Sequence, residues 1–197
     1  MTDTLEAVEG VLVALSDGTP PDRATAIENS LILAWRAAMK SGDYNTFFSV
    51  LGKIGWTESG SGVEQKSVPV VGFGTAIINV ISECNSIIDP IPDFKPILTA
   101  ADGAGHSLAN SWWNSGNEQA NGHGICWTTD GPDTVLRCYV LLTSMPDPWR
   151  VIFDPTALAS LQCWWRDFTL NSTVFDGLKD DIAQKVEPYR KDILRMS

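Results

Sequence analysis

The sequence predicts an α+β fold, a single domain in which helical hairpins cover an antiparallel β-sheet. Three observations carry this expectation. Residues 121–170 switch to period-two apolar patterning, with turn-forming residues between the runs. Residues 19–54 instead show the 3.6 period of amphipathic helices. Helical segments are grouped before and after the strands and do not alternate with them, which argues against a wound parallel sheet.

Taken in order, Leu5 to Leu15 has Leu5, Val8, Val11, Leu12 and Leu15 at helical spacing and reads as a short helix ending at Ser16-Asp17-Gly18. Thr19-Pro20-Pro21-Asp22 reads as a helix start, with Thr19 as N-cap, and the helix runs to about Lys40. Tyr44, Phe47, Phe48, Leu51 and Ile54 form a continuous stripe on the next helix, and Gly55 suits the left-handed residue beyond it. Ser59-Gly60-Ser61-Gly62 reads as a flexible loop, followed by a strand over Val63 to Val71. Thr75 to Ile88 and Phe94 to Trp113 read as two apolar helices, a hairpin laid on the sheet.

Four strands are expected next. Ile125–Thr129 and Val135–Leu142 flank Asp130-Gly131-Pro132-Asp133, a set of turn residues that marks a hairpin; Trp149–Phe153 and Leu161–Leu170 follow. In the last strand Trp164 and Trp165 must point to opposite faces. A closing helix begins at Asn171-Ser172-Thr173, with Val174, Leu178, Ile182 and Val186 on one side, and Pro188 kinks or ends it. The chain thus reads as one domain over 1–197, with a helical start at 1–58 and the sheet with its covering helices at 63–197.

Composition narrows the function. At 197 residues, 44% hydrophobic and 19% charged, the chain has ample material for a core. Fourteen basic against 24 acidic residues give a net charge of −10 and a pI near 4.5. With no basic cluster, nucleic acid is not an expected partner. No apolar stretch reaches the roughly 18 residues of a transmembrane helix. Asp3, Glu6 and Glu9 stand where a secretory signal carries Lys or Arg, so the chain is expected to lack a classical signal peptide and to be cytoplasmic or exported by a non-classical route.

Candidate chemistry is sparse. The four cysteines, Cys84, Cys126, Cys138 and Cys163, form no CxxC pair and read as reduced and buried; with two histidines, zinc is not expected. His123 and Cys126 could form a thiol nucleophile with its base, but residues i and i+3 of a strand face opposite ways, so the default is a loop histidine beside a buried cysteine. Gly72-Phe73-Gly74 and Gly103-Ala104-Gly105 complete no phosphate-binding motif. Tryptophan is the outlier: eight residues, with doublets at 112–113 and 164–165, compatible with packing, an interface or lipid.

The layout, a helical start ending in Phe47-Phe48-Ser49-Val50-Leu51-Gly52-Lys53-Ile54-Gly55-Trp56, an apolar helix pair at 73–113 and a Trp-containing strand hairpin at 125–142, resembles the Cyt-type cytolytic toxin fold, shared with volvatoxin and the palmitoylated virulence factor Evf. The resemblance is one of element order over most of the chain, and the sequence is short for that family. It implies a non-enzymatic, membrane- or lipid-interacting toxin or virulence protein that can self-associate as a homo-oligomer. No cofactor is expected beyond a palmitate-like fatty acid, which would lie in a seam between helices 73–113 and the sheet. For that seam the named residues are Cys138 and Cys163 as alternative anchors, with Leu136, Val140, Leu142 and Trp165; Cys138 is preferred because Leu136, Val140 and Leu142 share its strand face. The competing readings are a soluble acidic interaction module of immunity or adaptor type and, third, a cysteine hydrolase dependent on Cys126.

Overall fold

The computed structural model describes residues 4–16, 18–69, 122–129, 135–144 and 158–196. The expected helices within 73–113 and the strand Trp149–Phe153 lie outside them. The first element corrects the sequence reading, because Leu5 to Leu15 is a hairpin and not a helix. Strands β1 (Thr4–Val8) and β2 (Val11–Leu15) pair antiparallel from Thr4↔Leu15 to Val8↔Val11. Glu9 and Gly10 make the turn, with Glu9 in the left-handed region at φ 55°. Every residue of β2 is buried, so no polar alternation marks it as a strand, and the apolar run imitates a helix.

Helix α1 (Pro21–Ser41) begins after Pro20, which holds φ −59° and lends no side-chain cap. Thr19 was expected as the N-cap; its hydroxyl instead donates to the Ser16 carbonyl at 2.8 Å, closing the preceding turn. Gly42 ends the helix at φ 70°, its N–H donating to the Ala38 carbonyl. Helix α2 (Asn45–Lys53) buries Phe47, Phe48 and Leu51, and Tyr44 and Ile54 beside it are buried too, so the aromatic stripe packs as its spacing requires. Gly55 then takes φ 102° and turns the chain into β3 (Trp56–Pro69). Ser59 to Gly62 is therefore strand and not a flexible loop.

Strands β4 (Gly122–Thr129) and β5 (Val135–Ser144) form the expected hairpin, paired from Gly122↔Leu142 to Thr129↔Val135. Strand β6 (Leu158–Leu170) pairs with β5 on one side and β3 on the other. After it, Asn171 caps α3 (Ser172–Asp176), its side chain accepting from the Val174 N–H at 3.2 Å. The expected single stripe breaks here. The chain turns at Gly177, so Phe175 is buried while Val174 is 45% exposed. Helix α4 (Lys179–Val186) buries Ile182 and Val186 and passes at Pro188 into a 3₁₀ turn, Glu187–Asp192. A short strand that the sequence reading missed, β7 (Leu194–Met196), pairs with β1.

The sheet has seven strands in the order β3-β6-β5-β4-β2-β1-β7. All neighbours are antiparallel except β2 and β4, which run parallel, so the N-terminal hairpin joins the antiparallel sheet through a crossover. Helices α1 and α2 lie on one face. An aromatic cluster joins them to each other and to the sheet: Trp35 stands 5.8 Å from Tyr44 and 5.7 Å from Phe47, Phe47 meets Phe48 edge-on, and Phe48 stacks with Phe168 of β6 at 6.4 Å. Trp56 donates its indole N–H to Ser30 Oγ at 2.9 Å, so this buried polar group is satisfied inside the core. Arg190 ties the C-terminal segment back to α1, donating to Glu28 Oε2 at 2.6 Å and to Asn29 Oδ1.

Candidate functional site

Strand alternation divides the sheet into two faces. On the helix side, Leu136, Cys138 and Val140 of β5 have no exposure, and Phe168 of β6 is 1% exposed. This face is closed by α1 and α2, with Val11, Val13, Trp35 and Phe47 in the same core. Its packing is tight at named points. A Cβ on Gly124 would lie 2.8 Å from Val11 Cγ2 and 3.1 Å from Trp35 Cζ3, so only glycine lets the indole rest there.

On the opposite face the register aligns one row across six strands: Ala7↔Leu12, Leu12↔Ile125, Ile125↔Tyr139, Tyr139↔Trp165 and Trp165↔Gly62. Five of its six positions carry apolar or aromatic residues and the sixth is glycine. Ala7 and Leu12 are each 3% exposed, so this face too buries apolar surface at its β1–β2 end. The Trp165 ring lies across the bare backbone of β3: a Cβ on Gly62 would meet its Nε1 at 2.5 Å, and one on Gly60 its Cζ3 at 3.6 Å. The glycines of Ser59-Gly60-Ser61-Gly62 therefore serve a flat ring and not a flexible loop.

The adjoining row, Trp127↔Arg137, Arg137↔Asp167 and Asp167↔Gly60, is polar at its centre. Arg137 meets the Asp167 carboxylate through both Nε and Nη2, a paired fork that fixes the guanidinium, and its carbon lies 5.8 Å from the Trp165 ring centre. The half-buried Arg137–Asp167 ion pair thus borders the apolar row. The row on the other side runs His123↔Leu141, Leu141↔Cys163 and Cys163↔Glu64.

The six residues named from the sequence do not converge. Leu136, Cys138 and Val140 lie in the core under α1 and α2, and position 142 shares their parity. Position 163 and Trp165 belong to the opposite face. Burial, then a side-chain hydrogen bond with Cys126, pushes the Cys138 thiol well above its usual range, so it stays protonated and is no nucleophile in the closed fold. Cys126 is equally buried, and His123 stands on the other parity of β4. Sequence reading missed Gly60, Gly62, Arg137 and Asp167. The signal was present as parity, since Trp165 and Asp167 alternate together, but their partners on β3 and β5 needed the register.

No family model matches the chain, and no curated protein does. Among solved structures it is similar to a delta-endotoxin, with 7% identity and a TM-score of 0.44 over 82% of each chain. It is similar to the activated Cyt2Ba monomer from Bacillus thuringiensis subsp. israelensis, with 7% identity and a TM-score of 0.39 over 81% of this chain and 94% of that one. It is also similar to the Evf virulence factor, with 9% identity and a TM-score of 0.36 over 92% of this chain and 78% of the other. These are the kinds of protein that the order of elements in the sequence resembles. Among the described residues no helix is long and apolar enough to cross a membrane, and no cluster of His, Cys, Asp or Glu is placed to hold a metal.

Proposed function

We propose that the protein is a non-enzymatic, lipid-interacting protein of toxin or virulence type, and that it takes an acyl chain or a lipid surface on the sheet face opposite α1 and α2. The observation that carries this reading is the row Ala7–Leu12–Ile125–Tyr139–Trp165–Gly62, an apolar track across six strands. Its β1–β2 end is already buried, with Ala7 and Leu12 each 3% exposed, so a lipid would meet the row toward Trp165. An acyl chain gains about 0.8 kcal/mol per buried CH₂, so a track of this length offers a palmitate-like chain a substantial gain. Trp165, flat on β3 beside the Arg137–Asp167 pair, suits the boundary where acyl chain gives way to polar headgroup. If a thioester anchors the chain, position 163 is, among the described residues, the cysteine position whose register parity matches this row.

Liposome flotation combined with intact mass tests the reading. The wild-type chain is expected to float with liposomes, and Ile125→Lys, which puts a charge into the row, to lose most of that binding while keeping its circular dichroism spectrum. Failure of the wild type to float with either zwitterionic or anionic vesicles, together with the absence of lipid mass, would leave the interaction-module reading ahead.

A further inference from the structure

One pair of reactive groups lies outside this face. Register sets Cys126 of β4 directly opposite Cys138 of β5. Both are free thiols without exposure. Directly opposed residues of antiparallel strands have Cα atoms about 4.5–5.5 Å apart. A disulfide spans Cα separations of roughly 4.4–6.8 Å, a range that includes the spacing of directly opposed strand residues.

We propose that Cys126 and Cys138 are a cross-strand redox pair, thiols in the resting fold, which a small-molecule disulfide converts into a disulfide that staples β4 to β5. One cysteine, as thiolate, attacks a sulfur of the oxidant RSSR, forming a mixed disulfide and expelling one RS⁻. The second cysteine, as thiolate, attacks the protein-side sulfur, forming the Sγ–Sγ bond and expelling the other RS⁻. Two protein thiols are oxidised, one RSSR is reduced, and the two protons leave on two RSH.

Burial sets the conditions. Because the Cys138 thiol is held protonated by its surroundings, exchange runs through momentary parting of β4 from β5 and not from the closed fold. The pair sits mid-sheet, in the row Glu6↔Val13, Val13↔Cys126, Cys126↔Cys138 and Cys138↔Arg166, so the staple would lock the two central strands. It acts on the helix-side face and does not depend on what the other face binds.

The test is oxidation of a Cys84→Ser/Cys163→Ser variant by oxidised glutathione, in buffer and at urea concentrations below the unfolding midpoint. Intact mass is expected to fall by two hydrogens, with a Cys126–Cys138 linked peptide, and the rate to rise with sub-denaturing urea. Stable glutathione adducts, disulfide-linked dimers, persistence of both thiols, or a linked peptide that forms only above the midpoint would each overturn the proposal. Should the double variant not fold, the same mapping on the wild-type chain decides it, because linkage of either residue to Cys84 or Cys163 is equally fatal.

Discussion

Adding one carbon at Gly10 is expected to be among the most damaging small changes in this protein. A Cβ there would lie within 2.5 Å of Trp35 Cζ2, and that indole is 1% exposed. The ring has no free side to move toward. Gly124 is bare for the same indole, and Phe47 and Tyr44 stand 5.7 and 5.8 Å away on the helices. Overpacking costs about 1–3 kcal/mol, and a clash between turn backbone and a wedged indole belongs at the upper end, about 3 kcal/mol. In a chain of this size each kcal/mol moves Tm by roughly 2–4 °C, so calorimetry of Gly10→Ala should show a fall of about 6–12 °C. The effect is steric, since Gly10 is not among the glycines with positive φ. Gly52→Ala provides the contrast: nothing lies within 4 Å of its added carbon. On α2 it should gain helix stability, up to about 1 kcal/mol. The same methyl group thus has opposite signs at two sites. Gly10→Ala within about 0.5 kcal/mol of wild type, the usual range for an inconsequential surface change, would refute the seat assigned to Trp35.

Ser30→Ala strips the Trp56 indole N–H of its acceptor in the core and should cost about 1–3 kcal/mol, read as a lower urea midpoint at unchanged m-value; an unmoved midpoint would mean that the 2.9 Å bond contributes nothing. Glu9 gives a pH signature. Burial holds its carboxyl above the ordinary 4.5, Arg36 at 3.2 Å opposes this and Asp192 adds to it. The folded chain therefore binds this proton more tightly than the unfolded chain, and stability falls as pH rises from 4.5 through the higher folded value. Urea midpoints of Glu9→Gln and wild type should diverge in favour of the variant across that window; parallel curves would show that the carboxyl is unperturbed.

What the sequence could and could not reveal follows from how each element is buried. Helix α2 was legible because one face is buried and the other is wet: Phe47, Phe48 and Leu51 are buried while Asn45, Ser49 and Lys53 are exposed. The β4–β5 hairpin was legible from Asp130-Gly131-Pro132-Asp133 between two β-rich runs, and β6 from its alternation. The β1–β2 hairpin was not, for two reasons. Strand β2 is buried on both faces, which erases the period, and the turn uses Glu9 at positive φ where a hairpin normally announces itself with Asn, Asp or Gly. The Gly60 and Gly62 strand was misread because local composition cannot tell a glycine needed for freedom from one needed to clear Trp165, 103 residues beyond Gly62 in the register Gly62↔Trp165. The apolar row itself is a product of register. Ala7, Leu12, Ile125, Tyr139 and Trp165 belong to five strands, and no window of sequence contains them together.

The strand order also governs how the chain reaches this fold. Leu5 pairs with Met196, and Val13 with Cys126, so at this end of the sheet the local β1–β2 hairpin is flanked on both sides by partners far apart in sequence. The hairpin β1–β2 can close early and locally, but it has no sheet to join until β4 exists, and β1 keeps an open edge until residues 194–196 arrive. Loop closure over such separations precedes any return in contacts, which places folding on the order of milliseconds to seconds and not microseconds. During that interval β1 presents unpaired backbone N–H and C=O groups, the form in which β proteins capture one another. Pairing with β7 covers three positions of β1 and passes the edge of the finished sheet to a strand of only three residues, the short kind of edge that resists such capture.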